Sequence, residues 1–328
     1  MKKLINAVDS ILSESLQGLA AIHGDILMLG EEEKFVRRKV LKPGKVALIS
    51  GGGSGHEPLH AGFVGTGMLD AACPGQVFTS PTPDQMLAAV NAVGTAAGSL
   101  FIVKNYEGDV MNFEMAAEMA ESPVATVITD DDVAVPASTW STGRRGVAGT
   151  LIVEKMVGAA AEQGRELDAL KSLGEEVNRR TRSMGVALTS CTVPAAGKPT
   201  FTLSEDEIEM GVGIHGEPGR RRVKLTTADA IADEMMGAIL DDLSLKSGAP
   251  CLLLVNGFGG TPAMELYLMA NAARRVLAGR GLAIARGLVG SYVTSLDMAG
   301  CSLTVTALDD SMIQLWDAPV HTAALRWG

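Results

Sequence analysis

The sequence has no excess of basic residues. Its 328 residues include 28 lysines and arginines against 38 aspartates and glutamates, which gives a formal net charge of −10. The longest basic cluster is the GRRRVK stretch at 219–224. Proteins that bind nucleic acid present clustered lysine and arginine to the phosphate backbone. We therefore expect no nucleic acid among the partners of this chain.

Long apolar runs are lacking as well. No stretch approaches the ~18 consecutive apolar residues of a membrane-spanning helix. Residues 1–24 carry two lysines near the start, as a signal peptide does, but Asp9, Ser10, Ser13 and Glu14 interrupt the apolar core that such a peptide needs. The apolar residues of this segment recur at helical spacing instead: Leu4, Ile5, Val8, Ile11, Leu12, Leu16 and Leu19. We therefore predict an N-terminal helix, no membrane partner and a cytoplasmic location.

Cysteine is scarce, with four residues far apart at Cys73, Cys191, Cys251 and Cys301. Three of them lie in or beside runs with strand composition. This placement is typical of buried, reduced thiols rather than of a disulfide framework. It fits a protein of a reducing compartment.

The first half of the chain alternates two kinds of segment. Three short apolar runs have the composition of strands covered on both faces: 46–49, 100–105 and 124–129. Three longer stretches have helical patterning: 83–97, 110–121 and 146–163. This alternation predicts an α/β domain with a largely parallel sheet over residues 1–183.

The second half of the chain has a different pattern of strand-like and helix-like segments. After residue 183 the chain is rich in strands and turns, without a long helix before residue 227. Helix-like and strand-like segments then follow: 227–243, 251–256, 262–278, 282–287 and 302–307. We predict a smaller C-terminal α+β domain over residues 184–328.

A glycine-rich segment, SGGGSGHEPLHAG at 50–62, follows the first apolar run. Its glycines do not match dinucleotide-binding spacing, because His56 or Pro58 stands where the third glycine is required, and no GK[ST] sequence closes a phosphate loop. We expect a tight turn whose backbone amides face a small ligand, with His56 at its end. A glycine turn with a capping histidine is the purely structural alternative.

A metal site is a second hypothesis for the same segment, since His56 and His60 are four residues apart with Glu57 between them. Pro58 disfavours a helix that would bring both imidazoles to one face, and no third ligand is marked. We therefore predict no metal.

Two further segments carry candidate chemistry. Lys104 and Asp109 follow the run LFIV, at the strand edge where open α/β sheets bind ligands. Asp109 could equally be a helix cap. His215 stands between glycines in MGVGIHGEPG, in a setting like that of His56, and this favours close approach of a ligand over core packing.

Eight segments in order resemble those of the substrate-binding K subunits of dihydroxyacetone kinases. The resemblance covers essentially the whole chain, and the segments are SGGGSGHEPLHAGFVGTGML, ACPGQVFTSPTPDQM, KNYEGDVMNFE, DDDVAVPAS, TGRRGVAGTLIVEK, CTVPAAGKP, GVGIHGEPG and SLDMAG. The stretch between residues 220 and 256 is shorter than in some relatives, which leaves its contacts open.

The resemblance implies a site and a chemistry. His215 would add to the ketone carbonyl of dihydroxyacetone and form a hemiaminal. His56 would act as the base on the hydroxyl that is phosphorylated, with Asp109 hydrogen-bonding beside it. Further positions match those that line the ketone site: Gly53, Ser54, Gly55 and Lys104.

The resemblance also implies partners. It predicts a homodimer and no cofactor in this chain. Because the sequence has no helical nucleotide domain after ALRWG, ADP and magnesium are expected on a separate L subunit, which an M subunit of the phosphotransferase system recharges. Two alternatives remain open: a non-catalytic sensor or co-activator paralogue that binds dihydroxyacetone, and a kinase subunit for another short ketose such as erythrulose.

Overall fold

In a computed structural model of the chain, residues 2–135, 141 and 143–328 are described. This part contains fifteen strands: β1 (Leu27–Leu29), β2 (Val36–Arg38), β3 (Ala47–Ser54), β4 (Gly65–Thr66), β5 (Ala71–Val77), β6 (Ser99–Lys104), β7 (Val124–Thr129), β8 (Thr181–Ala187), β9 (Glu207–Met210), β10 (Arg221–Lys224), β11 (Pro250–Gly257), β12 (Ala283–Gly290), β13 (Gly300–Ala307), β14 (Val320–Thr322) and β15 (Arg326–Trp327). It contains eight α-helices: α1 (Ile11–Ile22), α2 (Pro83–Val93), α3 (Glu107–Met119), α4 (Gly149–Glu162), α5 (Leu167–Arg179), α6 (Ala228–Leu243), α7 (Ala263–Gly279) and α8 (Asp310–Asp317).

The first sheet has six strands in the order β1-β2-β5-β3-β6-β7. β5, β3, β6 and β7 are parallel to one another, whereas β2 runs antiparallel to both β1 and β5. The carboxyl ends of β3 and β6 therefore lie side by side at one edge of the sheet. This arrangement confirms the predicted α/β class with a largely parallel first sheet.

Helices cover both faces of the first sheet. On one face Ile49 and Phe101 pack in a buried cluster with residues of α2 and α3. On the other face Leu48 and Leu100 belong to a larger cluster with residues of α4 and α5. Since successive strand residues point to opposite faces, both sides of each strand need apolar residues. The unbroken apolar runs in the sequence follow from this requirement.

The second sheet also has six strands, in the order β10-β9-β8-β13-β11-β12. Only β11 and β12 pair in parallel, and the other neighbours are antiparallel. Leu253 packs with α6 and α7 in a separate cluster, whereas its neighbours Leu252 and Leu254 belong to the large cluster that also holds residues of the first sheet. The predicted α+β character of the second half is confirmed.

The C-terminal segment returns to the first half of the chain. β14 pairs with β4 and with β15 in a three-stranded sheet. The indole Nε1 of Trp327 donates to the carbonyl oxygen of Trp316 over 3.1 Å. The tail is thus anchored to the rest of the chain. The domain boundary after residue 183, which lies within β8, stays a prediction.

Two further expectations can be compared with the structure. The N-terminal helix begins at Ile11 rather than near Leu4, because Leu4 and Val8 are exposed and pack against nothing that would hold a helix there. All four cysteines are buried and free. In the described part of the chain, no helix is both long and apolar enough to cross a bilayer.

Candidate functional site

The glycine-rich segment is a strand for most of its length. Residues 51–53 continue β3 and pair with β5, so the tight turn expected here is wrong for these residues. A Cβ atom on Gly53 would lie 2.6 Å from the backbone nitrogen of Thr79, closer than real contacts allow. The glycines therefore permit close approach of neighbouring backbone. The left-handed conformation expected of a glycine turn appears only at Gly55, where φ is +103°.

His56 follows this strand and is fully buried. The segment after β12 lies alongside, where the backbone nitrogen of Leu296 donates to the carbonyl oxygen of Gly55 and that of Thr294 to the carbonyl oxygen of His56. The Nδ1 atom of His56 lies 2.7 Å from the Thr294 carbonyl oxygen. Because a carbonyl oxygen only accepts, Nδ1 carries the proton. Nε2 then holds a lone pair.

The His56 ring is neutral at physiological pH. Burial holds its pKa well below the usual histidine value, and the nearby charges of His215 and Lys104 lower that pKa further. A neutral imidazole with an unprotonated Nε2 is the form that a general base requires.

His215 lies in the loop between β9 and β10 and is held by Glu217. Its Nδ1 atom is 2.8 Å from Oε1 of Glu217, and its backbone nitrogen donates to Oε2 over 3.0 Å. Burial opposes ionisation of Glu217, but His215 and then Arg145 favour the carboxylate and hold its pKa at about 2. The carboxylate accepts a hydrogen bond from the Nδ1–H group, so the lone pair of a neutral His215 is on Nε2.

Arg145 holds the loop that carries His215 in place. Its fully buried guanidinium contacts Oδ2 of Asp132 at 2.7 Å and donates to the carbonyl oxygen of Gly211 over 2.7 Å. A Cβ atom on Gly213 would overlap Oε2 of Glu217 and crowd the same guanidinium. The HGEPG segment is therefore held by a buried ion pair between an aspartate and an arginine that belong to two other motifs.

Parts of those two motifs are not described. Residues 136–138 of DDDVAVPAS and Thr142 of TGRRGVAGTLIVEK lie outside the described residues.

Four rings meet at the site. The rings of His56 and His215 are edge to face with centroids 4.7 Å apart. Phe78 stacks on His56 at 5.0 Å and meets His215 at 5.1 Å, and Tyr106 meets His215 edge-on at 4.7 Å. The two histidines are thus neighbours with restricted rotation, although they are 159 positions apart in the sequence.

Lys104 and Asp109 lie at the same edge of the first sheet. Lys104 ends β6, Asp109 is in the first turn of α3, and the ammonium is 3.6 Å from Oδ2 of the carboxylate. Both side chains are buried. A Cβ atom on Gly52 would collide with the Nζ atom of Lys104. Both side chains thus lie at the carboxyl edge of the first sheet, and their contact with a ligand stays a prediction.

Unpartnered polar atoms concentrate here. In the described part of the chain, five buried side-chain nitrogen or oxygen atoms have no hydrogen-bond partner. Three belong to His56 (Nε2), Tyr106 (Oη) and Asp109 (Oδ1), and a fourth, Oε2 of Glu154, lies in the network behind Lys104. Buried polar atoms are nearly always hydrogen-bonded. The cluster therefore indicates a place where a small polar ligand completes the hydrogen bonding.

The remaining predicted residues have partners of their own. The Ser54 hydroxyl donates to the carbonyl oxygen of Gly75 over 2.7 Å, and the backbone nitrogen of Gly55 donates to the Glu57 carboxylate. Direct contact of these groups with a ligand stays a prediction. Within the described residues, no group of three or more histidine, cysteine or acidic side chains is placed to hold a metal ion.

Several residues of the site were missed at the sequence level. Glu217 directly precedes Pro218 shortly after His215, as Glu57 directly precedes Pro58 after His56, and this shared glutamate–proline pair was the available indication. Nothing in the sequence indicated a role in the site for Phe78 or Tyr106, apart from their presence in segments that carry the family resemblance. Thr294 is 238 positions from His56, and only the fold brings the two together.

Comparison with known proteins decides the family. The Dak1 domain model matches residues 17–324. The chain belongs to the Dak1 family. This Dak1 chain is 47% identical to the dihydroxyacetone-binding subunit DhaK of the PEP-dependent dihydroxyacetone kinase of Escherichia coli, over the full length of both chains. It is 49% identical to the corresponding subunit of PTS-dependent dihydroxyacetone kinase 1 of Listeria innocua, over 99% of this chain and all of that one.

Solved structures agree with the fold. The Dak1 chain resembles the dihydroxyacetone kinase operon co-activator DhaQ, with a TM-score of 0.89 and 35% identity over 95% of this chain and 96% of that one. It resembles the dihydroxyacetone kinase of C. freundii with a TM-score of 0.87 and 35% identity, over 98% of this chain and 60% of that one.

Proposed function

We propose that this chain binds dihydroxyacetone and holds it for phosphorylation to dihydroxyacetone phosphate, as the substrate-binding subunit of a phosphotransferase-system-dependent kinase. The names and high identity of the bacterial relatives support the substrate and the type of kinase. The observation that carries the proposal is the pair of facing histidines, each with Nδ1 engaged by a fixed acceptor.

His215 is the nucleophile that captures the ketone. Its Nε2 lone pair attacks the carbonyl carbon, a carbon–nitrogen bond forms, and the π electrons of the carbonyl move to its oxygen. The alkoxide oxygen takes one proton from water and the ring returns its Nδ1 proton to water by way of Glu217, so the hemiaminal is neutral, Glu217 stays ionised and the number of protons is unchanged. The buried Glu217 carboxylate stabilises the positive charge that develops on the ring during attack.

His56 is the general base for the hydroxyl that accepts the phosphoryl group. Its unprotonated Nε2 has no partner in the described part of the chain and can accept the hydroxyl proton. Asp109 and Lys104 hold polar groups of the substrate beside it. Phosphoryl transfer depends mainly on positioning and electrostatics, so these side chains orient the acceptor for a donor that arrives from outside.

Covalent capture explains selection against glycerol. Glycerol carries an alcohol where dihydroxyacetone has a carbonyl, and hydrogen bonds discriminate weakly between small polyols in an open pocket. A histidine that must add to a carbonyl rejects the alcohol. Another short ketose, such as erythrulose, would pass the same chemical test.

We further propose that the phosphoryl donor is bound by another protein. In this view an L subunit holds ADP and Mg²⁺, an M subunit recharges it, and this chain acts as a homodimer. The names of the PTS-dependent relatives support the donor system. The C. freundii kinase, solved with AMP-PNP and Mg²⁺, is a longer chain of which this chain matches 60%.

A co-activator role is the competing proposal, since the fold matches DhaQ closely. Identity favours the kinase, at 47–49% to kinase subunits against 35% to the co-activator. The buried base with its free Nε2 also favours catalysis, because a sensor needs only the group that captures the ketone.

The test uses dihydroxyacetone labelled with ¹³C at the carbonyl carbon. On binding to the wild-type chain, the ketone resonance is expected to be replaced by that of a tetrahedral carbon, and His215→Ala is expected to abolish this change. Turnover is then measured with purified L and M subunits and phosphoenolpyruvate. Adduct formation without turnover would support the co-activator role, and a bound ketone that keeps its carbonyl resonance would refute capture by His215.

A further inference from the structure

A second buried layer lies behind Lys104. The Nε2 atom of His60 is 3.1 Å from the Lys104 ammonium, and its Nδ1 atom is 2.6 Å from Oε1 of Glu154 and 3.0 Å from the Ser50 hydroxyl. All four side chains are buried, and Glu154, on α4, is fully so. These residues connect α4 to the proposed site through β3 and β6.

The donors and acceptors in this layer allow one arrangement. An ammonium group only donates, so the His60 Nε2 atom facing Lys104 must be the acceptor and Nδ1 must carry the proton. The Ser50 hydroxyl donates to the carbonyl oxygen of Ile102 over 2.6 Å, which leaves its oxygen free to accept. Nδ1–H therefore points at two acceptors, Glu154 Oε1 and Ser50 Oγ.

The charges are compatible with this arrangement, in which Oε1 of Glu154 accepts even when Oε2 carries a proton, because burial raises the pKa of Glu154 to about 8. Burial lowers the pKa of His60 well below its usual value, and the charges of Lys104 and then His56 lower that pKa further. His60 therefore remains neutral and can accept from the ammonium. On its other side the ammonium faces the Asp109 carboxylate at 3.6 Å. Lys104 is thus held from two sides, by a carboxylate in the site and by an imidazole behind it.

We infer that His60 and Glu154 are positioning residues that hold the Lys104 ammonium in the ketone site. Glu154 orients His60, Glu154 and the Lys104 ammonium together select its Nδ1–H tautomer, and His60 then directs the ammonium toward the position of the substrate. The inference rests on the proposed function for its consequence, substrate binding. Its geometric part does not depend on that function.

The geometric part is tested by ¹⁵N NMR of histidine-labelled protein near neutral pH. The His60 signals, assigned by their absence in His60→Gln, are expected to show a protonated Nδ1 and an unprotonated Nε2. Lys104→Met removes the donor facing Nε2 and is expected to shift the tautomer populations. An Nε2–H tautomer or an imidazolium in the wild-type protein would overturn the inference.

The functional part is tested by calorimetric Kd values for dihydroxyacetone. We expect His60→Leu to weaken binding roughly 10- to 100-fold, the range for losing a hydrogen bond to a charged group. His60→Gln can still present an acceptor to Lys104 and should recover part of the loss. The double variant His60→Leu/Lys104→Met should bind no more weakly than Lys104→Met alone, because His60 acts through Lys104.

Thr150→Val is the matched control, since Thr150 is buried on α4 one turn before Glu154 and its hydroxyl lies 2.8 Å from that of Thr129. It should lower stability without changing Kd. Additive losses in the double variant would overturn the positioning role. A wild-type chain that binds no dihydroxyacetone would instead refute the proposed function, and the NMR result would still decide the geometry.

Discussion

The imidazole rings of His56 and His215 meet edge to face with centroids 4.7 Å apart, and each ring has its Nδ1 atom fixed by an acceptor from the second half of the chain. His56 is tied to the Thr294 carbonyl and His215 to the Glu217 carboxylate. Both rings therefore present an unprotonated Nε2 when neutral, which suits the proposed roles of His56 as base and His215 as nucleophile.

Removing the base should separate catalysis from capture. We expect His56→Ala to lower kcat roughly 10²- to 10⁴-fold, because a general base acts in the transition state, while the hemiaminal still forms. Steady-state transfer from the phosphorylated L subunit gives kcat, and crystallography gives the adduct occupancy. A near-wild-type kcat would show that His56 is not the base.

Asp109→Asn should have a milder effect on kcat than His56→Ala. The amide keeps a hydrogen-bonding oxygen at the position of the carboxylate but removes the charge 3.6 Å from Lys104. If orientation outweighs charge in this transfer, the adduct stays intact and part of kcat survives. Equal losses in the two variants would indicate that the charge of Asp109 is needed as much as the base.

The Glu217–His215 contact should make a pH-dependent contribution to stability. The folded-state pKa of Glu217 is about 2 against 4.5 in the unfolded chain. The contribution is therefore fully present above about pH 4.5, is lost as the pH falls toward about 2, and amounts to at most about 3 kcal/mol. Urea unfolding should show Glu217→Gln less stable than wild type at pH 7, with the difference shrinking at about pH 3.

The exposed Glu205→Gln serves as the control, because it removes the same charge at the surface. A stability difference between Glu217→Gln and wild type that does not change with pH would contradict the prediction.

Gly52→Ala should disturb the site through Lys104. A Cβ atom at this position would collide with the ammonium, which would have to leave its place between Asp109 and His60. We expect a weaker Kd for dihydroxyacetone. Gly237→Ala in α6 is the control, since its Cβ meets nothing within 4 Å and should stabilise the helix by roughly 0.5–1 kcal/mol. Unchanged ketone binding in Gly52→Ala would contradict the placement of Lys104.

ATP should not replace the partner as donor. Residues 51–53 of the glycine segment lie in β3, with the backbone at Thr79 packed against Gly53, so they do not form a phosphate-binding loop. We therefore expect the purified chain to show no turnover of dihydroxyacetone with ATP and Mg²⁺, and turnover to appear on addition of the L subunit with its donor system. A coupled assay for dihydroxyacetone phosphate measures both. Robust turnover by the chain alone with ATP would refute the division between subunits.

Local patterns predicted the elements that bury apolar residues on both faces. The runs at 124–129 and 251–256 became β7 and most of β11, because a covered strand needs an unbroken apolar composition. The glycine-rich segment, in contrast, was predicted incorrectly. The sequence suggests a turn at residues 51–53, but the structure uses those glycines inside β3, where the absence of side chains admits Lys104 and the backbone near Thr79.

Only part of the candidate site could be predicted from the sequence, because only some of its residues belong to recognisable local patterns. His56, His215, Lys104 and Asp109 carry their chemistry in short motifs, and the fold brings them together. The residues that orient them act over long distances in sequence or from ordinary contexts, as Thr294 does for His56 and as Glu154 does, through His60, for Lys104. Hydrogen-bond acceptors of this kind leave no local pattern, because any backbone carbonyl or buried carboxylate can fill the role.

The bond between His56 and Thr294 has a mechanical consequence. Thr294 lies between β12 and β13, and His215 lies between β9 and β10, so both rings take their orientation from the second sheet although His56 is covalently part of the first. The orientation of the His56 ring therefore depends on both halves of the chain at once. A change that moves the Thr294 carbonyl, even one confined to the second sheet, would turn the His56 ring and alter its spacing from His215.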